Sequence, residues 1–347
     1  MVTLVTGASG FVGSHVARQL VSAGHSVRIL ARRSSRLEFL EDLAVERVEG
    51  DLRDADSIAS AMKGVTQVFH VAADYRLWAR NPEEIYDSNV GGTRRLLEAA
   101  AAEGVSRIVY TSTVATIAVS KPGDGSHDAL PDESTPAAVD QMIGHYKRSK
   151  FLAEAEALKA AAAGLPVVIV NPTTPVGPGD WKPTPTGKIV VDFLNGRMPA
   201  YVDTGLNLVA VEDVASGHLL AAERGRTGER YLLGARNMTL KQILEALAAI
   251  TGRPAPRVRL PHAVALAAGY ADEWFSRLVG RDPRIPVEGV KMSRHRMFVA
   301  TGKAERELGY SPGPVEAALA RAVNWYQQHG YIGGRSAMKA GVREEAA

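Results

Sequence analysis

No cysteine occurs among the 347 residues. That excludes disulfides, thiolate zinc sites, iron–sulfur clusters and cysteine nucleophiles, and it agrees with a reducing compartment. A dominant charge is missing too. Lys plus Arg is 41 and Asp plus Glu is 38, and a net charge of +3 argues against a nucleic-acid partner. No apolar run approaches the ~20 residues that a spanning helix needs. The longest, Ala263 to Ala271, is ended by Asp272 and Glu273. Trp274, Phe275 and Leu278 follow at helical spacing and leave a peripheral membrane contact open. Met1-Val2-Thr3-Leu4 opens no basic segment and no long apolar one, so a cytoplasmic location is expected. The nine histidines form no His-x-x-x-His pair, and no metal site is expected. There is no Gly-x-Ser-x-Gly elbow, and Ile189 after Gly187-Lys188 spoils the one near match to a phosphate-binding P-loop.

What is present is alternation. Short apolar runs at Val2–Thr6, Val27–Leu30, Val45–Val48, Val65–Val71, Ser106–Thr111 and Val167–Val170 read as strands. Helical patterns lie between them at 11–23, 54–63, 83–103 and 146–163. Uninterrupted apolar strands alternating with helices predict an α/β chain with a parallel sheet covered on both faces, the doubly wound Rossmann layout. Six of the 18 prolines fall between Pro172 and Pro199, which reads as a loop leaving the sheet. Leu208–Val211, a helix at 213–223 and Tyr231–Leu233 read as a return to it. Thr239–Thr251 then begins a smaller mixed C-terminal lobe. The expected division is a dinucleotide-binding unit of residues 1–177 plus about 208–235, a substrate lobe of 178–207 plus 236–330, and a flexible tail at 331–347.

Thr6-Gly7-Ala8-Ser9-Gly10-Phe11-Val12-Gly13 follows the first strand and opens the first helix. In that context one glycine permits the tight turn, a second lets the backbone approach a pyrophosphate, and a third lets helix pack on strand. The helix N-terminus supplies free N–H groups and a positive dipole end. A carboxylate at the end of the second strand would hold a ribose 2′-hydroxyl, but here Arg32 and Arg33 stand there, and no acid appears before Glu38. Guanidinium matches phosphate, so NADP is favoured, with NAD as the alternative. Asp51-Leu52, after the third strand, can meet the adenine.

Tyr146 and Lys150 are four residues apart, on one helix face. A nearby ammonium favours the phenolate, so Tyr146 is expected to have a lowered pKa and to move a proton while a hydride moves at the same carbon. Thr111-Ser112-Thr113 ends the fifth strand and offers hydroxyls to a substrate oxygen. His70 is expected to be a satisfied structural histidine. Trp78, Trp181 and Tyr201 lie in segments that can cover a ligand.

With these motifs the chain resembles the extended short-chain dehydrogenase/reductase superfamily, the NAD-dependent epimerase/dehydratase group. The likeness rests on the glycine motif, Asp51-Leu52, Ala72-Ala73, Asn89-Val90-x-Gly92-Thr93, Thr111-Ser112-Thr113, Tyr146-x-x-x-Lys150 and Asn171-Pro172-x-x-x-x-Gly177-Pro178. Within it the chain looks like the dihydroflavonol-4-reductase-like branch. Through Asp74–Ala79 and Gly179–Lys188 it is most similar to the hopanoid-associated sugar epimerases. The resemblance implies that Thr113, with Ser112 beside it, touches the substrate oxygen. It makes Tyr146 the acid/base, and has Lys150 hold the nicotinamide ribose. Asn89 would order the site. Gly7, Gly10, Phe11, Val12, Gly13, Arg32, Arg33, Asp51, Leu52, Ala72, Ala73, Tyr146, Lys150, Pro172 and Thr173 would line the cofactor. It implies a small-molecule substrate, a sugar derivative or another carbonyl or alcohol, and allows a homodimer. Val114-Ala115 follows Thr113 where the sugar 4,6-dehydratases carry Asp-Glu, so that elimination chemistry is not expected. The activity expected first is sugar epimerisation, the alternative a net NADPH-dependent carbonyl reduction, and the rival class a non-catalytic NADP-binding sensor.

Overall fold

The computed structural model describes residues 2–76, 79, 81–117, 130–281, 283 and 286–332. The expectations for Trp78 and for a flexible tail from residue 333 fall outside these residues.

Seven parallel strands form the central sheet: β1 (Val2–Thr6), β2 (Ser26–Ala31), β3 (Val45–Glu49), β4 (Val65–His70), β5 (Arg107–Thr111), β6 (Val167–Pro172) and, after three strands of a second sheet system, β10 (Arg230–Leu233). Their spatial order is β10-β6-β5-β4-β1-β2-β3. Side chains alternate across it, as period two requires. Val5, Val109, Val168 and Val170 face the helices α1 (Phe11–Ser22) and α7 (Val211–Arg224). Leu4, Ile108, Val167 and Ile169 face α2 (Ala55–Met62), α4 (Gly92–Glu103) and α5 (Gly144–Ala162). Both faces are therefore covered, which explains why the strands read as unbroken apolar runs.

The helix expected over 83–103 is broken by geometry. A short α3 (Glu83–Tyr86) passes through a π turn at Asp87–Gly91 before α4 begins. Such turns displace one residue from the α register, and the residue at its centre is Asn89, which is buried.

The proline-rich stretch is more ordered than its composition suggests. It holds β7 (Thr174–Val176), α6 (Pro185–Leu194) and β8 (Ala200–Val202). Pro185 occupies the first turn of α6, where a missing N–H is harmless, and the Thr184 hydroxyl caps the Gly187 N–H at 3.1 Å. Leu208–Val211 is a second correction. It belongs to β9 (Gly205–Ala210), which pairs with β7, with β11 (Arg236–Thr239) and with β13 (Arg296–Met297) in a separate four-stranded sheet. Only β10 returns to the central sheet. The chain changes sheet at Pro172, which has no N–H to extend the ladder, and changes again at Gly234. The two crossings are tied together, since the Thr173 N–H donates to the Leu233 carbonyl at 3.0 Å. A Cβ on Gly234 would come within 2.3 Å of Asn207 Oδ1.

The second sheet packs with α6, α8 (Leu240–Thr251) and α12 (Val315–Gln328) around Phe193, Leu208, Leu244, Leu247, Leu319 and Val323. A short strand β12 (Val258–Leu260), the helix α9 (His262–Val279), α10 (Val287–Met292) and α11 (Gly302–Leu308) complete this part of the chain. The chain crosses between the sheets at the carboxyl ends of β6 and β10, and the carboxyl ends of the central strands are where open α/β sheets hold ligands.

Candidate active site

Strand order reverses between β1 and β4, and the glycine motif sits at that switch point. Gly7 has φ +73°, and a Cβ on it would lie 2.6 Å from the Cα and N of Ala72, at the end of β4. Any side chain there would drive the two strand ends apart. A Cβ on Gly13 would reach the Gly7 carbonyl oxygen at 2.1 Å, so the helix can approach the strand only without it. No side chain caps α1 and its first turn has no acid; the Gly10 N–H turns back to the Gly7 carbonyl at 2.9 Å, and no carboxylate of the chain takes the N–H groups of Phe11 and Val12 at the helix start. This cradle fits a pyrophosphate.

Arg32 and Arg33 lie exposed just past β2, and Arg47 orders their turn by donating to both carbonyls, at 3.0 and 3.3 Å. Neighbouring arginines are spoken for: Arg18 with Asp42, Arg28 with Glu46, Arg36 with Glu38, Arg53 with Asp51. Arg32 and Arg33 form no ion pair among the described residues. Asp51 is half-buried, and Arg53 takes both its oxygens, at 3.0 and 2.9 Å, which holds its carboxyl below the usual range. Leu52 is buried against Gly92, and Ala72 and Ala73 line the end of β4.

Thr113 follows β5, and Tyr146 and Lys150 lie one turn apart on α5. Thr113 caps a 3-10 turn at Val114–Thr116, and its hydroxyl lies close enough to the Tyr146 phenol to influence it. Lys150 is buried, and its Nζ donates to the Tyr110 hydroxyl at 2.9 Å and to the Thr111 carbonyl at 2.8 Å. The expectation of a lowered Tyr146 pKa is not met. Loss of water pushes the phenol above its ordinary value, and the Thr113 hydroxyl only partly offsets this. The burial that hides Lys150 lowers its amine to about 7, against the pull of Glu154, so the ammonium is weakened. At neutral pH Tyr146 is thus a phenol with a proton to give. Ser112 is also buried, and its Oγ has no partner among the described residues.

Asn89, raised out of register by the π turn, ties the loop after β4 to helix α5. Its Nδ2 donates to the Asp74 carbonyl and to Ser149 Oγ, both at 2.9 Å, and its Oδ1 accepts from the Asp74 N–H at 2.7 Å. Thr173 is pinned to Leu233, and Pro172 ends β6 beside it. Trp181 packs edge-on against Trp325 in an aromatic cluster, and Tyr201 is half-buried in β8.

Beneath the site, sequence reasoning assigns no role to Thr93, Tyr110 or Glu154, while His70 is the expected satisfied structural histidine. His70 is buried and satisfied: Nδ1 is 2.7 Å from Thr6 Oγ1 and Nε2 is 3.0 Å from Thr93 Oγ1. Thr93 bonds Tyr110, and Tyr110 receives Lys150, so a buried polar chain runs from the glycine strand to the lysine. On the far side, buried Glu154 accepts from Asn171 Nδ2 at 2.8 Å and Thr116 Oγ1 at 2.9 Å and pairs with Arg230 at 3.2 Å. The available signal for Glu154 was its spacing: it repeats the Tyr146–Lys150 interval once more along α5.

Residues 3–234 match the NAD dependent epimerase/dehydratase family. This chain belongs to that family. Members are NAD(P)-dependent epimerases, dehydratases and reductases of the extended short-chain type, and this chain is an enzyme of that kind. It is 48% identical over 332 residues to a Synechocystis sp. protein named, provisionally, a dihydroflavonol 4-reductase, covering 94% of this chain and 95% of that one. It is 36% identical over 336 residues to sterol demethylase protein B of Methylococcus capsulatus, covering 96% and 100%. The crystal structure of gox2253 superposes with a TM-score of 0.84 at 46% identity, over 96% of this chain and 99% of that one.

Proposed function

We propose that this chain is an NADPH-dependent carbonyl reductase of the dihydroflavonol-4-reductase-like branch. The observation that carries the reading is the pair Arg32 and Arg33, exposed at the end of β2 and without an ion pair among the described residues, although the charge of Arg32 reaches Asp51, which Arg53 already holds. A 2′-phosphate would pair with them bidentately. Gly7, Gly10, Phe11, Val12 and Gly13 would hold the pyrophosphate, Asp51, Leu52, Ala72 and Ala73 the adenosine side, and Lys150, Pro172 and Thr173 the nicotinamide side. When bound, the cofactor supplies the hydride. Tyr146 would give its proton to the carbonyl oxygen, and Thr113, with Ser112 behind it, would hold that oxygen while charge develops. Asn89 and Tyr110 position this set from beneath. A protonated Tyr146 suits the reductive direction. The likeness to a protein named for sterol demethylation supports an apolar ketone as substrate. The same reading puts the enzyme in the cytoplasm and allows a homodimer through the α4–α5 face, where Leu152 is exposed.

The second reading, a hopanoid-associated sugar epimerase, is favoured by the family match and by the Asp74–Ala79 and Gly179–Lys188 motifs. Much of the second motif is turned inward, however. Asp180 is buried and accepts from the Thr184 N–H and hydroxyl and from the Tyr326 hydroxyl, at 2.9, 2.8 and 2.8 Å. Native mass spectrometry of the purified protein should show co-purified NADP. Steady NADPH oxidation with a ketone panel is expected, and Arg32→Ala/Arg33→Ala should weaken NADPH while sparing NADH. Interconversion of two sugars with no net change in dinucleotide would replace the reductase reading. Turnover and cellular effect both untouched by Tyr146→Phe would leave only the sensor.

A further inference from the structure

The helix α9 is turned inside out. Of its eighteen residues only Gly269 and Ser276 are buried. Val264, Ala267, Ala268, Ala271, Trp274, Phe275 and Leu278 are exposed and recur three or four residues apart, so they form one apolar stripe along a helix of roughly 27 Å. Trp274 is 67% exposed, Phe275 50% and Leu278 65%. A surface helix of a globular protein normally points such a stripe at the core.

The charges are sorted in the opposite sense. The two acids of α9 turn toward the body: Glu273 Oε1 accepts the Val287 N–H at 2.8 Å, and Asp272, 14% exposed, is held by Arg281 at 2.7 Å. The cations border the stripe. Arg277 is exposed, the Arg281 guanidinium lies 5.7 Å from the Phe275 ring, and Lys291 Nζ lies 5.8 Å from the Tyr270 ring. An apolar strip with aromatic residues and a basic rim complements an anionic lipid surface. A second copy fits it less well, because a two-fold contact would bring the same basic rim against itself.

We propose that α9 docks the enzyme on the headgroup layer of an anionic bilayer, lying along the surface without crossing it. Among the described residues no helix is long and apolar enough to cross a membrane. Helix α9 is joined to the helix of Tyr146 through α10. Helix α10 packs on α9, and its Glu288 carboxylate fills the space beside Gly144, where a Cβ would come within 2.2 Å of it, two residues before Tyr146. The docking goes beyond the reductase reading and does not need it.

Co-sedimentation of the full chain with vesicles tests this directly. Binding is expected to equimolar phosphatidylcholine and phosphatidylglycerol, to be much weaker on phosphatidylcholine alone, and to fall as salt rises. Trp274→Ser/Leu278→Ser should lower vesicle affinity about tenfold or more, and Arg277→Glu by a smaller factor. Thermal stability and NADPH binding should stay as in the wild type, which separates failed docking from failed folding and from failure of the cofactor reading. No binding to either vesicle, or equal binding by the double variant, would overturn the proposal. So would a dimer in sedimentation that the double variant converts to monomer, since the face would then join two copies.

Discussion

Helices α5 and α9 are nearly the same length, 19 and 18 residues, and they break the inside–outside rule in opposite ways. Helix α5 buries Lys147, Lys150 and Glu154, while α9 leaves Trp274, Phe275 and Leu278 in water. Each violation has a stability consequence, and the two differ in kind. A buried charge costs folding free energy unless it is paired, so α5 is held in an unfavourable state by its surroundings. An exposed apolar side chain merely forgoes a gain. Departures from local consistency collect at functional sites, and the comparison separates one that serves chemistry from one that serves contact.

The largest expected effect breaks the comparison at Tyr146, the residue on α5 that meets the substrate in the proposed reaction. Tyr146→Phe should lower kcat/KM for NADPH-dependent reduction by about 10²–10⁴-fold, with little change in the calorimetric unfolding midpoint. Retained activity would mean that the buried charges of α5 serve the fold alone. Next comes Glu154→Ala. It strands Arg230 and Asn171 in the interior, and urea unfolding should show a loss of about 3–5 kcal/mol.

Lys147 sharpens the contrast from the other direction. The residue is 7% exposed, its ammonium makes no hydrogen bond or ion pair among the described residues, and burial lowers its amine to about 8; His295, lowered first by its own loss of water, also feels its charge. The folded-state value lies below the unfolded one near 10.5, so the unfolded chain binds the extra proton between those pH values. The penalty is complete below pH 8 and disappears as pH climbs toward 10.5. Lys147→Met should therefore stabilise the protein at pH 7 by on the order of 1–3 kcal/mol, and the advantage should shrink with rising pH in denaturation curves taken across that range. A variant less stable than wild type at pH 7 would show that Lys147 has a partner in solution. The smallest effect belongs to α9: Trp274→Ser should move folding stability by no more than about 0.5 kcal/mol, measured by the same denaturation.

The sequence speaks clearly about the first five strands because each is a compact apolar run closed by a turn, with both sheet faces covered. It misleads where the deciding contact is distant. The apolar run that becomes β9 looks like a central strand; what diverts it is Pro172 and the bond between Thr173 and Leu233, sixty residues apart. Helix α6 is hidden by counting prolines without asking that Pro185 is at a helix start. At the site, Thr113, Tyr146 and Lys150 are legible from spacing, and Thr113 lies beside the Tyr146 phenol, one helical turn from Lys150. Their proton affinities are not legible, because burial decides them. Lys147 and Arg148 are neighbours of like charge in the chain, yet one is buried and the other exposed, according to what packs over each.

The return of β10 to the central sheet has a consequence for how the protein is made. Half of the covering of one sheet face, α7, and the edge strand itself are encoded after residue 210. On a ribosome adding ~5–20 residues per second, Val5, Val16 and Leu20 wait roughly 10–50 s for Val214 and Tyr231 to be synthesised. During that interval the nascent chain carries an apolar sheet face covered by α1 alone, and a polypeptide released after β6 would keep it half-covered.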